Sequence, residues 1–153
     1  MLIDKIVASH LTSFQEGFDT WQDAVRGSGE PLKKQGFIDD RYINAVIECV
    51  EKYGPYIVIA PDIAMPHSTE NAEGVFKTGI GFMKVNRPVS FAEGDPEKDA
   101  RLFFMLAAVD HEQHLQNMME LSEMLMNEEL VKELLQVNSD EDLLKVAKKY
   151  QNS

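Results

Sequence analysis

The chain holds a single cysteine, Cys49, in 153 residues, so no internal disulfide can form. Its place in the periodic segment INAVIECVEKYG reads as a small buried hydrophobe rather than a nucleophile. No apolar run approaches the roughly 20 residues that a spanning helix needs. The opening MLIDKIVASHLTSF lacks the basic n-region, long apolar stretch and small-residue cleavage pattern of a secretory signal, so the cytoplasm is the expected address. Basic side chains are a scattered minority, fifteen Lys and Arg against 26 Asp and Glu, and the formal net charge is −11. Nucleic-acid binding is therefore not expected, because phosphate recognition needs clustered cations. The acidic surplus favours solubility and suits docking to a basic partner protein. Walker P-loop, G-x-G-x-x-G and G-x-S-x-G motifs are also missing, which removes motif support for nucleotide binding and for the common serine hydrolase mechanism.

What is present fits an ordinary globular chain, with 44% hydrophobic and 27% charged residues. A chain this long buries roughly 70% of its unfolded surface, so one domain with its own core is expected. Residues 2–9 predict a short opening helix and HLTSFQ a short strand. Asp19 and Thr20 cap a helix at Trp21, which Gly27, Gly29 and Pro31 are expected to interrupt or end near Gly27. A stronger helix starts at Asp39 or Asp40, carries Tyr42, Ile43, Val46, Ile47 and Val50 at helical spacing, and stops at Gly54.

IVIA, residues 57–60, is a β-branched run of the kind found in a strand buried on both faces. VFKTGIGFMKV reads as a strand broken by Gly79 and Gly81, with a bulge or a close backbone approach there, and Pro88 continues the sheet margin. AEGDPEKDA is an exposed loop, and residues 101–109 form another buried strand. Residues 110–136 predict one helix whose Leu115, Met118, Met119, Leu121 and Leu125 form a core-filling face, and a last helix follows 138–140. Helices flanking several apolar strands predict an α/β sandwich around a mixed sheet.

The chemistry centres on GPYIVIAPDIAMPHS, residues 54–68, which ends in His67 behind the stiff Pro66. Of the other histidines, His10, His111 and His114, the last two follow the apolar strand at 101–109. Functional side chains in α/β sheets gather at the carboxyl ends of strands, so His67 and the His111/His114 pair can converge on one site. Asp110, His111, Glu112 and His114 open a helix, where an anion is favoured. They lack the H-E-x-x-H spacing of a catalytic metal site, which ranks phosphate above metal and leaves a metal-dependent hydrolase a distant third reading.

Three features together carry a resemblance: Ala64-Met65-Pro66-His67, the Gly79-to-Phe82 strand with Pro88 and Phe91 after it, and Ala107-Ala108 followed by His114 at a helix opening. On these the chain resembles, over nearly its whole length, the enzyme IIA components of the phosphoenolpyruvate-dependent sugar phosphotransferase system, in the mannitol/fructose superfamily. TWQDAV and GPYIVIAPDIAMPH are most similar to the ascorbate-specific members. The resemblance implies a single EIIA type-2 domain over 1–153, with a mixed β-sheet flanked by helices on both sides. It implies that His67 accepts a phosphoryl group from HPr and passes it to a IIB cysteine, for uptake of ascorbate or a related acid sugar through a membrane IIC component. His114 is then the assisting histidine, and Ser68, Thr69 and His111 are phosphate-contact candidates. No metal or cofactor is implied, and a homodimer is one open assembly. Ser68 stands where the family usually has Gly or Ala, and His111 is an additional histidine. The alternative is a regulatory IIA-like module that signals through its phosphorylation state.

Overall fold

Helix α1 (Leu2–Ala8) ends in a turn at His10, whose φ of 58° reverses the chain into β1 (Thr12–Gln15). These coordinates are a computed structural model that describes residues 1–68 and 73–151. The Thr20 hydroxyl caps α2 (Trp21–Lys34) by accepting the Asp23 N–H at 3.1 Å. Contrary to the sequence expectation, α2 neither breaks nor ends at Gly27 but runs through Gly27, Gly29 and Pro31. The reason is tertiary. A Cβ at position 27 would lie 2.6 Å from the Phe18 ring, and one at 29 would lie 2.7 Å from Ile43, so both glycines let neighbours press onto bare backbone. That packing offsets a propensity cost of about 1 kcal/mol per glycine.

Helix α3 (Asp40–Tyr53) starts on the Asp39 carboxylate, which accepts the Arg41 N–H, and stops at Gly54 with φ 87°. Tyr42, Ile43, Val46, Ile47 and Val50 are buried as expected, and Cys49 with them. The 57–60 run is a second departure. It forms β2 (Val58–Ala60), a short strand at the sheet edge that leaves Ile59 46% exposed, rather than a strand covered on both faces. The chain turns back at Asp62, φ 72°, and forms β3 (Asp62–Ala64), which pairs antiparallel with β2 and occupies the inner position.

Strand β4 (Gly79–Ser90) is not broken at its glycines. The close approach is there, since a Cβ at 79 would meet the Phe37 ring at 2.7 Å and one at 81 would meet Leu32 at 3.3 Å, but the register shift lies further on, between Lys84 and Val89. The acidic loop that follows contains a 3-10 turn (Pro96–Lys98) and leads into β5 (Asp99–Ala107), which is buried through its second half. The sheet order is β1-β4-β5-β3-β2, with β1–β4 and β3–β5 parallel and the other two pairs antiparallel. Side chains alternate across β4. Gly79 and Gly81 meet Phe37 and Leu32 at the end of α2, whereas Lys84 points to the other face and bonds Asn138 ahead of the last helix. Helices therefore cover both faces of one core that extends from Ile3 to Ala147.

The helix expected across 110–136 is two helices, α4 (His111–Leu125) and α5 (Glu128–Leu134). Asn127 divides them because its side chain caps α5, accepting the Leu130 N–H at 3.2 Å. The core-filling face expected on α4 holds in part: Leu121 is buried and Met118 and Leu125 pack against the core, but Leu115 is 49% and Met119 66% exposed. The Ser139 hydroxyl caps α6 (Asp140–Tyr150). Among the described residues no helix is long and apolar enough to cross a membrane.

Candidate functional site

Because β3 and β5 are parallel, their carboxyl ends point to the same end of the sheet. His67 follows β3 by three residues and His114 sits in the first turns of α4, just after β5. Their rings pack with centroids 5.6 Å apart, tilted by 40°.

The backbone around His67 is pinned on both sides. The Met65 N–H donates to Ile57 at 2.8 Å, and the Leu106 N–H donates to the Pro66 carbonyl at 3.0 Å, extending the β3–β5 ladder past the strand end. The imidazole folds back on its own chain, with Nδ1 2.5 Å from the Met65 carbonyl oxygen. A carbonyl only accepts, so Nδ1 carries the proton and Nε2 keeps a lone pair. The Tyr56 hydroxyl donates to the His67 carbonyl, and its ring meets the imidazole edge to face at 5.2 Å and 88°. The Ser68 N–H points to the Tyr42 hydroxyl at 3.4 Å, and the Tyr42 hydroxyl donates to the Leu106 carbonyl at 2.5 Å. Burial pushes the Tyr42 phenol up to about 12, so it remains a neutral donor.

Burial favours the neutral form of both rings. Burial lowers the pKa of His67 from its ordinary value, opposed by the hydrogen bond to Met65. Burial also lowers that of His114, helped by repulsion from His67 and His111 when these are charged. Asp110 holds the start of α4, its carboxylate accepting the Gln113 N–H at 2.8 Å and its carbonyl accepting the His114 N–H at 3.1 Å.

Of the residues singled out in the sequence, His67 and His114 are brought together. His111 lies exposed at the first position of α4. The Ser68 hydroxyl lies 3.5 Å from the Cys49 sulfur on α3. Thr69 lies outside the described residues. Sequence reasoning passed over Tyr42, Tyr56 and the Met65 carbonyl. Tyr42 carried a usable signal, since a tyrosine on a buried helical stripe must find a partner for its hydroxyl. Among the described residues no group of three or more His, Cys, Asp and Glu side chains is placed to hold a metal ion. The arrangement is an imidazole with one aimed lone pair, flanked by a second imidazole able to donate an N–H.

The model of the family described as phosphoenolpyruvate-dependent sugar phosphotransferase system, EIIA 2, matches residues 5–150. The ascorbate-specific EIIA component of Escherichia coli (strain K12) is 31% identical over 144 residues, 94% of this chain and 92% of that protein. The ascorbate-specific EIIA component of Salmonella typhimurium is 34% identical over 113 residues, covering 74% and 72%. Among solved structures, the mannitol-specific cryptic phosphotransferase enzyme IIA of Escherichia coli superposes with TM-score 0.80 at 28% identity, covering 97% of this chain and 99% of that one. A chain from the Escherichia coli complex of mannitol enzyme IIA with phosphorylated enzyme IIB gives TM-score 0.78 at 28% identity, covering 92% and 95%.

Proposed function

This chain belongs to the EIIA 2 family of the phosphoenolpyruvate-dependent sugar phosphotransferase system, and on that premise we propose that it is a cytoplasmic phosphoryl carrier whose acceptor is His67. In this reading residues 1–153 act as one domain, the phosphoryl group comes from HPr, and it leaves to a cysteine of a IIB protein serving a membrane IIC component. The single observation that carries the acceptor assignment is the Nδ1 bond to Met65, which leaves Nε2 as the only ring nitrogen with a free lone pair.

In the first step the Nε2 lone pair forms a bond to phosphorus while the bond to the donor atom of HPr breaks and its electron pair returns to HPr. The proton stays on Nδ1, hydrogen-bonded to the Met65 carbonyl. In the second step a IIB thiolate forms the S–P bond, and the N–P electron pair returns to Nε2. Such transfers need positioning and charge stabilisation more than covalent assistance. His114 supplies an N–H beside the acceptor, and the incoming negative charge of the phosphoryl group draws its lowered pKa back up, strengthening that donor at the moment of transfer. Ascorbate or a related acid sugar is the proposed end acceptor, supported by the relatives described as ascorbate-specific. A IIB partner is supported by the enzyme IIA–IIB complex among the similar structures.

Incubation with phosphoenolpyruvate, enzyme I and HPr is expected to yield an acid-labile, base-stable phosphoprotein, and His67→Ala is expected to take no label. Undiminished labelling of that variant would remove His67 from the role. Transfer onward is read by chasing the label onto purified IIB proteins of the host. Failure with every one of them would leave a regulatory module as the better reading, and uptake measurements identify the sugar.

A further inference from the structure

The peptide unit joining His67 to Ser68 is held from both ends by tyrosine hydroxyls. Tyr56 donates to its carbonyl, and its N–H is directed at Tyr42 at 3.4 Å. Tyr42 is in turn anchored on the Leu106 carbonyl at 2.5 Å, while the N–H of the same Leu106 bonds Pro66 at 3.0 Å. These bonds close a circuit that leaves β5 at Leu106, passes through Pro66, His67 and Ser68, and returns through Tyr42. The carbonyl of His67, between the two ends of this circuit, is taken by Tyr56.

We propose that Tyr42 and Tyr56 are paired positioning residues that act through this one peptide plane to aim Nε2 of His67 and to fix its spacing from His114. The proposal rests on His67 being the phosphoryl acceptor. The physical reason for pairing is that a peptide unit is planar, so its C=O and N–H turn together. Holding both ends stops rotation about the bonds on either side, including the bond that leads back to the Cα of His67. Because the circuit closes on β5, the strand that leads into α4, it ties the backbone of the acceptor to the element that delivers His114. Neither tyrosine is asked to touch phosphate. Tyr42 is buried on α3 and is committed to two backbone groups.

The test uses the full chain as Tyr42→Phe, Tyr56→Phe and the double variant, which keep the rings and delete only the hydroxyls. Two readouts are followed: single-turnover transfer from phosphorylated HPr, and the imidazole nitrogen resonances of His67. Each single variant is expected to lose about tenfold in the maximal transfer rate, with the half-saturating HPr concentration within about twofold of the unaltered chain, because misaimed groups lose rate rather than binding. The double variant should lose no more than about threefold beyond the slower single one, since both act on one plane. The His67 resonances should move from a single Nδ1–H tautomer toward an average of two.

Transfer within about twofold of the unaltered chain in both single variants, with the tautomer pattern retained, would overturn the proposal. So would losses that multiply in the double variant, or a raised half-saturation at unchanged maximal rate. If Tyr42→Phe does not fold, Tyr56→Phe carries the test alone through the same two readouts. Should the unaltered chain take no phosphoryl group at all, the carrier reading fails, while the resonances still decide whether the clamp orders the imidazole.

Discussion

His67 and His114 pack ring against ring, yet the two strand ends that carry them are built in opposite ways. Around His67 the backbone is tied at Met65, Pro66, His67 and Ser68, and the four residues before the histidine are buried. Around His114 the support is one helix, in which Leu121 is buried while Leu115 and Met119 face water, as does Val109 just ahead of it. Under the proposed roles of acceptor and assistant, the difference separates two tasks. A nucleophile gains from a direction set in advance, because orientation settled during folding need not be found during reaction. A donor that responds to an arriving charge needs proximity and a tunable proton more than rigidity, and an exposed helix end provides both.

The largest test of that division compares the two histidines of α4. His114→Ala is expected to slow transfer from phosphorylated HPr by about 10²-fold, the usual cost of deleting one donor to developing charge. His111→Ala, at an exposed position outside the ring stack, is expected to stay within about threefold. Single-turnover measurements on both variants check this. A larger loss at His111 would mean that the open rim, and not the stacked ring, assists.

Stability offers a second way to set the braced region against the open one. Gly74 sits with φ 92°, where a Cβ would fall 2.3 Å from the Asp39 carboxylate and 2.9 Å from the Tyr42 backbone nitrogen. Its carbonyl also accepts the Asp39 N–H at 2.9 Å, so it braces the start of the helix that carries Tyr42. Gly74→Ala is expected to cost about 2–3 kcal/mol, from a left-handed backbone penalty of about 1–2 and a disturbed N-cap of about 1. Met119→Ser, on the exposed face of α4, should stay within about 0.5 kcal/mol. Urea unfolding of both variants compares them, and a large loss at Met119 would show that the α4 face is not an open one.

How much of this was legible in the sequence depends on the range of the forces involved. Thr20, Asp39, Gly54 and the restart near Ser139 could be read because a cap is settled within four residues. The continuity of α2 could not, because it depends on Phe18 and Ile43 pressing on Gly27 and Gly29. The edge position of β2 and the separate strand β3 were hidden for a similar reason. A β-branched run signals a strand, but which strand lies outermost is decided by pairing with β5, some forty residues later. The break at Asn127 had a local signal, an asparagine before Glu-Glu-Leu, but the helical periodicity across it was the stronger pattern. His67 and the His111/His114 pair were legible through the strand-end rule, a property of parallel sheets, and the ring of His114 lies against that of His67. Tyr42 and Tyr56 were not, because their partners are backbone groups that no side-chain spacing marks.

The smallest effect expected is acid sensitivity, and its sign follows from the lowered pKa values. Burial disfavours the charged form of both rings, so His67 and His114 titrate below their ordinary value of 6.5 in the fold and near it in the unfolded chain. Between those limits the unfolded chain binds protons that the folded one refuses. Stability therefore falls as pH drops through about 6.5 and is unaffected by these groups well above it. His67 is the deeper of the two and should contribute more. Urea midpoints at pH 7.5 and 5.5 are expected to differ less in His67→Gln than in the unaltered chain, with His114→Gln in between. The reverse order would put the harder desolvation at the rim and undo the contrast between a braced acceptor and an open assistant. The same shifts bear on chemistry, since a ring that resists protonation keeps its Nε2 lone pair to lower pH. Labelling of His67 should accordingly hold its rate to lower pH than an exposed imidazole would, declining only as the folded pKa is approached.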